Sequence, residues 1–157
     1  MTPVRQALMR SAIGLVALVL VVGCSEPSAG ARIGDGRDGV VTWEAWAGRS
    51  GTGGLCLEVR FIGRQTESIC DVADEGTSTW QTDLDTGQLL VVTTAEQGAT
   101  SATLTLADGT ERTVDLVRAP EVTTMAIFVT PLGAGVEATE FVIQNSDGSA
   151  LELVPLD

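Results

Sequence analysis

Residues 55–61 read Leu-Cys-Leu-Glu-Val-Arg-Phe, so every second residue is large and apolar. Successive side chains of a β-strand point to opposite faces of the sheet. One face of this segment therefore carries only leucine, valine and phenylalanine, and the other carries Cys56, Glu58 and Arg60. The pattern predicts a β-strand with one face on a core and one face toward water.

The same alternation recurs along the chain from residue 41 onward. Alternating or apolar segments occupy residues 41–47, 69–72, 102–106, 114–116, 125–129, 136–143 and 150–154. Residues 89–92 form a continuous apolar run, which is typical of a central strand covered on both faces. Nearly the whole of this part of the chain is predicted to be strand.

Two Asp-Gly pairs lie between alternating segments, at residues 108–109 and 147–148. Asp-Gly suits the positive φ angles of a type I′ hairpin turn. We therefore predict that residues 99–107 pair with 110–118, and that residues 136–144 pair with 149–154.

Eight to ten short strands with regular turns predict an all-β fold, an antiparallel β-sandwich that is Ig-like in the broad sense. A small closed β-barrel is the alternative. Residues 39–157 are expected to form one domain, since about 119 residues suit a single core. Residues 24–38 are mostly small, polar or turn-forming and show no helix or strand period, which predicts a flexible tether.

The N-terminal 23 residues have the pattern of a signal peptide. Arg5 and Arg10 precede an apolar run over residues 11–22, which is short for a membrane-spanning helix of about 20 residues. An ordinary secretory signal or a short anchor helix would also fit this pattern.

The run ends in Val21-Val22-Gly23-Cys24, which resembles the lipobox of bacterial lipoproteins. The resemblance implies that residues 1–23 are removed and that the Cys24 thiol carries a diacylglyceryl group. The protein would then be lipid-anchored at the extracytoplasmic face of the cell membrane, with membrane lipid as its first partner.

Charge and missing residue types exclude several functions. Removal of the leader would leave seven arginines against 21 acidic residues, a net charge of −14, which disfavours nucleic acid as a partner. The chain has no Lys, His or Tyr, so a Ser-His-Asp triad is excluded and most transition-metal sites lack ligands. No cofactor and no metal are expected.

If Cys24 is lipidated, Cys56 and Cys70 are the two cysteines that still have a thiol available for a disulfide. Two cysteines outside the cytoplasm most simply form a structural disulfide. A redox-active pair is the alternative, although the 14-residue separation differs from a Cys-x-x-Cys motif.

Asp85-Thr86-Gly87 resembles the Asp-Thr-Gly of aspartic proteases, whose paired carboxylates share a proton. The chain holds one copy, so such an enzyme would need a homodimer. We expect Asp85 to be a turn residue. An EF-hand is rejected because Gln88 and Thr94 stand where the loop needs Gly and Glu. The acidic turns are expected to carry solvated carboxylates, and an incidental calcium site among them is the alternative.

The three tryptophans could form an aromatic platform for a sugar or a peptide. Trp43 shares a face with Val41 and Ala45 and is expected in the core. Trp46 falls on the opposite face and is the candidate ligand contact.

The order of these motifs resembles small actinobacterial lipoproteins and exported proteins of unknown function. A Gly-Leu-Cys strand at 54–56, a second cysteine at 70 and two Asp-Gly hairpins carry the resemblance. It implies the sandwich and the disulfide and brings no activity. The predicted function is a non-enzymatic envelope module that binds another protein or a cell-wall component. A small carboxylate-dependent hydrolase that uses Asp85 is the alternative, and a purely structural lipoprotein is a third.

Overall fold

The protein is described by a computed structural model over residues 30–156. This part of the chain contains eleven strands and no helix. The strands are β1 (Ala31–Asp38), β2 (Val41–Arg49), β3 (Leu55–Phe61), β4 (Glu67–Val72), β5 (Thr77–Asp83), β6 (Gln88–Thr94), β7 (Ser101–Leu106), β8 (Glu111–Val117), β9 (Ala126–Leu132), β10 (Ala138–Gln144) and β11 (Ala150–Pro155).

Two antiparallel sheets pack face to face, which confirms the predicted all-β sandwich. One sheet has the order β1-β2-β3-β4, and the other has the order β11-β10-β7-β8-β9-β6-β5. The seven-stranded sheet curls into a half-barrel. The fold therefore combines the sandwich with part of the barrel that was its alternative.

Strand β6 lies between two hydrophobic cores, because both of its faces are covered. Leu89 and Val91 point into the core between the two sheets. Leu90 and Val92 point into a second core inside the half-barrel, where the rings of Phe128 and Phe141 meet edge to face at 5.4 Å. This confirms the prediction that residues 89–92 form a central strand.

Polar side chains bridge the two ends of the curled sheet. The carboxylate of Glu152 on β11 accepts hydrogen bonds from the hydroxyls of Thr77 on β5 and Thr94 on β6. These contacts join residues up to 75 positions apart and bring the last strand beside the first strands of its sheet.

Both predicted hairpins are present, as β7–β8 and β10–β11. The predicted type I′ turn is wrong, however, because Asp108 and Asp147 do not have positive φ. Only the glycines do, with φ of 81° at Gly109 and 83° at Gly148. The backbone N–H of Gly109 bonds the carbonyl of Leu106, the pattern of a type I turn followed by a left-handed glycine.

The predicted tether of residues 24–38 is wrong over its second half, where Ala31–Asp38 form strand β1 and pair with β2. The glycines of this segment suggested flexibility, but in the structure they allow close packing. A Cβ at Gly36 would lie 2.7 Å from Cζ2 of Trp43, so only glycine leaves room for the buried indole. The domain therefore begins by Ala31 and not at residue 39. Residues 1–29, with the predicted signal peptide and Cys24, lie outside the described part.

Candidate functional site

Asp85-Thr86-Gly87 lies in the turn between β5 and β6, beside the turn between β1 and β2. The carboxylate of Asp38 accepts hydrogen bonds from the Thr86 hydroxyl at 2.5 Å, from the Thr86 N–H at 2.5 Å and from the Gly87 N–H at 3.1 Å. These bonds favour the ionised form and lower the pKa of Asp38 below its ordinary value of 3.8.

The Asp85 carboxylate makes the reciprocal contacts. It accepts a hydrogen bond from the backbone N–H of Val40 at 3.2 Å and pairs with the Arg64 guanidinium at 2.6 Å. The two aspartates therefore fasten one sheet's turn to the other's, and Asp85 is a turn residue as predicted. The Asp38 contacts and the Asp85–Val40 contact join the two turns, and the Asp85–Arg64 pair adds the loop between β3 and β4.

Trp46 lies on the outer face of the four-stranded sheet, as predicted, and is half-buried. Its indole N–H donates to Glu44 at 3.3 Å, and the Arg60 guanidinium stacks 4.7 Å from the ring centroid. Arg60 also pairs with Glu58. The ring is thus engaged by its own sheet, and a ligand contact at Trp46 stays a prediction.

Cys56 and Cys70 form a disulfide across β3 and β4, as predicted. Cys56 is buried and Cys70 is exposed. A bulge follows at Asp71, the one non-glycine residue of the described chain with positive φ, at 58°. Hydroxyls of Ser50 and Thr52 donate to the Asp71 carboxylate at 3.2 and 3.0 Å, which holds the bulge in place.

A cleft of about 270 Å³ opens beside this disulfide, between β4 and β5. Each of these strands is the edge of its sheet, so the cleft is the gap where the two sheets part at one side of the sandwich. It is lined by Leu57, Ile69, Cys70, Asp71, Val72, Ala73, Ser78, Thr79, Trp80 and Thr93. At its other end the gap is bridged by a hydrogen bond from Thr82 to the Glu67 carboxylate.

Thr93 supplies the unusual group in this cleft. Its residue is 1% exposed, and its hydroxyl has no hydrogen-bond partner. It follows Leu89 and Val91 on the inter-sheet face of β6, so the side chain points into the space that the cleft enters. A buried polar group without a partner is costly, and native proteins leave few of them. Among described residues the one other such group is the indole N–H of Trp43.

Acidic side chains lie on the β4 side of the cleft. Glu67, Asp71, Asp74 and Glu75 lie within ten positions along β4 and the connection to β5. Asp74 pairs with the Arg49 guanidinium at 3.2 Å. The rim therefore carries a surplus of negative charge.

The structure does not bring the sequence-predicted residues into one site. Asp85 lies at the turns and Trp46 on the outer face of the four-stranded sheet, whereas Cys70 of the disulfide lines the cleft. Sequence reasoning missed Thr93, Ile69 and the role of Trp80. One signal pointed to Thr93, since it is a polar residue at an inward position directly after the apolar run 89–92.

Within residues 30–156, no group of three or more potential ligands (Cys, Asp or Glu, His being absent) is placed to hold a metal ion. In the same part of the chain, no helix has the length and apolar character needed to cross a membrane. Comparison with protein-family models, with curated proteins and with solved structures finds no match to this chain.

Proposed function

We propose that this protein is a lipid-anchored, extracytoplasmic binding module without catalytic activity. Its ligand is another envelope protein or a cell-wall component, and it binds in the cleft between β4 and β5. We also propose that the protein is related to small actinobacterial lipoproteins of unknown function.

Two features support a location outside the cytoplasm. The lipobox-like sequence ends at Cys24, and the other two cysteines form a disulfide. Disulfides persist in oxidising compartments and are rare in the cytosol. The surface is strongly acidic, so the acyl chains and not a basic patch would hold the protein at anionic lipid.

The cleft carries the proposal for binding. It combines an apolar lining with one buried, unpartnered hydroxyl, that of Thr93. Concave apolar sites with a few polar groups are the usual form of a binding site. Trp46 lies on the other side of the four-stranded sheet, away from the cleft, and its indole is already engaged by Glu44 and Arg60.

No observation favours the hydrolase alternative. The Asp85 carboxylate is engaged by Arg64 and by the Val40 N–H, and Asp38 is engaged by Thr86 and Gly87. We therefore expect Asp85→Asn to remove no peptidase activity.

Site-specific photo-crosslinking in intact cells tests the proposal. A benzophenone amino acid at Ser78 would sit at the cleft, and the same group at Thr113 would sit on the exposed outer face of β8. We expect a discrete adduct from position 78 and none from position 113. Equal adducts from both positions, or none from either, would contradict binding through the cleft.

A further inference from the structure

Strand β5 is an edge strand whose middle lacks the usual protection, although Thr77 and Thr82 near its ends bond Glu152 and Glu67 and its last residue is Asp83. Residues 77–82 read Thr-Ser-Thr-Trp-Gln-Thr, with no charge and no proline, and β5 pairs with β6 in unbroken register. Natural edge strands are commonly blunted by charges, proline or bulges. β5 lacks all three between Thr77 and Thr82.

The other three edges of the described sheets all carry such devices. β1 has Arg32, Asp35 and Arg37 and a register shift. β4 has two acidic residues and the bulge at Asp71. β11 has Glu152 and Pro155, and its pairing with β10 also shifts. Of the two edges that border the cleft, β4 is therefore protected, and the run Thr77–Thr82 of β5 is not.

The cleft is suited to one large side chain. Its volume of about 270 Å³ lies below the range of roughly 300–1,000 Å³ that is usual for small-molecule sites. Trp80 and Ile69 offer apolar contact at its mouth, and Ile69 is 38% exposed although it is a large apolar residue. The Thr93 hydroxyl lies inside and lacks a partner, so it can bond a polar atom at the tip of an inserted side chain.

Two kinds of strand could pair with the edge of β5, a second copy of this chain or a segment of another protein, and their charges distinguish them. A second copy of this chain would bring a net charge of −14 and the same acidic rim, and like charges oppose association. A basic segment complements Glu67, Asp71 and Glu75. Charge complementarity therefore favours a foreign, positively charged strand.

We propose that an extended basic segment of a partner protein pairs with β5 as an added strand and inserts one large side chain, apolar with a polar tip, into the cleft. This inference rests on the proposed binding function. Main-chain hydrogen bonds to the sheet edge would give affinity, and the pocket would give specificity, as in other cases of strand addition.

The test uses the full chain in nanodiscs of neutral phosphatidylcholine and two synthetic peptides. One peptide alternates Lys with Val around a central Tyr, and its twin has Glu in place of every Lys. Calorimetric titration should give binding of the basic peptide that is at least about tenfold tighter than that of its twin. Empty nanodiscs report adsorption to lipid, and the binding should weaken as salt is added.

Variants locate the binding. Thr93→Val should weaken the basic peptide about tenfold, since one buried hydrogen bond is lost. Thr79→Lys should weaken it at least as much by adding a charge to the edge. Thr113→Val makes the same Thr-to-Val exchange as Thr93→Val, but on the far outer face, and should bind like the parent. Cooperative thermal unfolding of each variant shows that it is folded.

Hydrogen exchange identifies the edge that pairs. Bound peptide should slow exchange across Thr77–Asp83 and leave the edge strand Ala31–Asp38 of the other sheet unchanged. Slowed exchange at another edge would overturn this inference and leave the binding function standing. Equal binding of the two peptides, no effect of Thr93→Val, or a dimer that buries β5 in sedimentation would also overturn it. Loss of crosslinking in cells would instead count against the proposed function itself.

Discussion

The hydroxyl of Thr93 is buried without a partner, whereas the hydroxyl of Thr82 on the neighbouring strand is buried and donates to Glu67. An unsatisfied buried hydroxyl lowers stability by about 1–3 kcal/mol, and a typical satisfied one contributes about 1 kcal/mol. Replacing each of these two hydroxyls by a methyl group is therefore expected to change the free energy of unfolding differently.

Thr93→Val should leave the free energy of unfolding unchanged or raise it by about 1 kcal/mol, because the methyl group replaces an unpaired hydroxyl. Thr82→Val should lower it by about 1 kcal/mol, because a hydrogen bond is lost. Urea unfolding measures both. A larger loss from Thr93→Val than from Thr82→Val would show that the Thr93 hydroxyl has a partner.

The carboxyl group of Asp38 makes the stability of the folded protein depend on pH in the acidic range. Its hydrogen bonds to Thr86 lower its pKa in the folded state below the ordinary 3.8. A carboxyl with a depressed folded pKa stabilises the protein above its unfolded pKa, and that contribution is lost as pH falls through the folded pKa. Asp108 and Asp147 have lowered pKa values for the same reason, because backbone N–H groups of Thr110 and Ser149 donate to them.

Asp38→Asn should therefore lower the melting temperature at neutral pH, and the difference from the parent should shrink once the pH falls below about 4. Melting curves between about pH 7 and 2.5 measure it. The exposed Asp115→Asn serves as the control and should change little at any pH. A difference between parent and Asp38→Asn that stays constant down to pH 2.5 would contradict this role.

At the scale of the strands, the Cys56–Cys70 disulfide ties β4 to β3 where the Asp71 bulge interrupts the ladder. It closes a loop of about 15 residues, which is worth roughly 3 kcal/mol in the chain-entropy model. β4 is an edge strand that borders the cleft. Loss of the disulfide should therefore loosen the cleft as well.

Reduction should lower the melting temperature by on the order of 10 °C. Cys56→Ala, Cys70→Ala and the double variant should behave alike, because each removes the same bond. Thermal unfolding with and without reductant, together with thiol titration, measures this. Unchanged melting on reduction would favour the redox-active alternative.

The alternating and apolar segments of the sequence predicted nine of the strands. The other two, β1 and β5, were not predicted, and there is a physical reason for each. β1 has a single well-buried apolar side chain, Ile33, and its glycines are packed under Trp43. β5 is polar except for Trp80, because one of its faces borders the cleft and its edge is open. A pattern of apolar residues cannot reveal a strand that buries so few of them.

The turn residues were recognised but their geometry was not. Asp-Gly marked both hairpins correctly, because glycine is needed at a left-handed position. Whether one or both turn residues have positive φ depends on the loop length. The length follows from where the strands stop pairing, which sequence patterns leave uncertain by several residues.

At the scale of the whole molecule, the two-sided burial of β6 could be read from residues 89–92, and it implies a core on each face. The half-barrel could not be predicted, since it depends on contacts such as Glu152 with Thr77 across the sheet. The cleft also arises from two edge strands that diverge. No local motif encodes it, although Thr93 is a polar residue at an inward position directly after the apolar run 89–92.

Cys24 and strand β1 are separated by only the six residues 25–30, because β1 begins at Ala31. Fully extended, six residues span about 20 Å. If Cys24 is acylated, the domain is held near the headgroups, and its partner must be reached close to the membrane.

The proposed function depends on export and on lipid attachment at Cys24, and mass spectrometry of the N-terminal peptide from the membrane fraction tests both directly. We predict a peptide that begins at Cys24 and carries a diacylglyceryl thioether. Cys24→Ala should release the protein or leave it unprocessed, while Cys70→Ala, which also removes a cysteine, should keep the anchor. A free Cys24 thiol, or a mature N-terminus elsewhere in the chain, would contradict a lipid-anchored module.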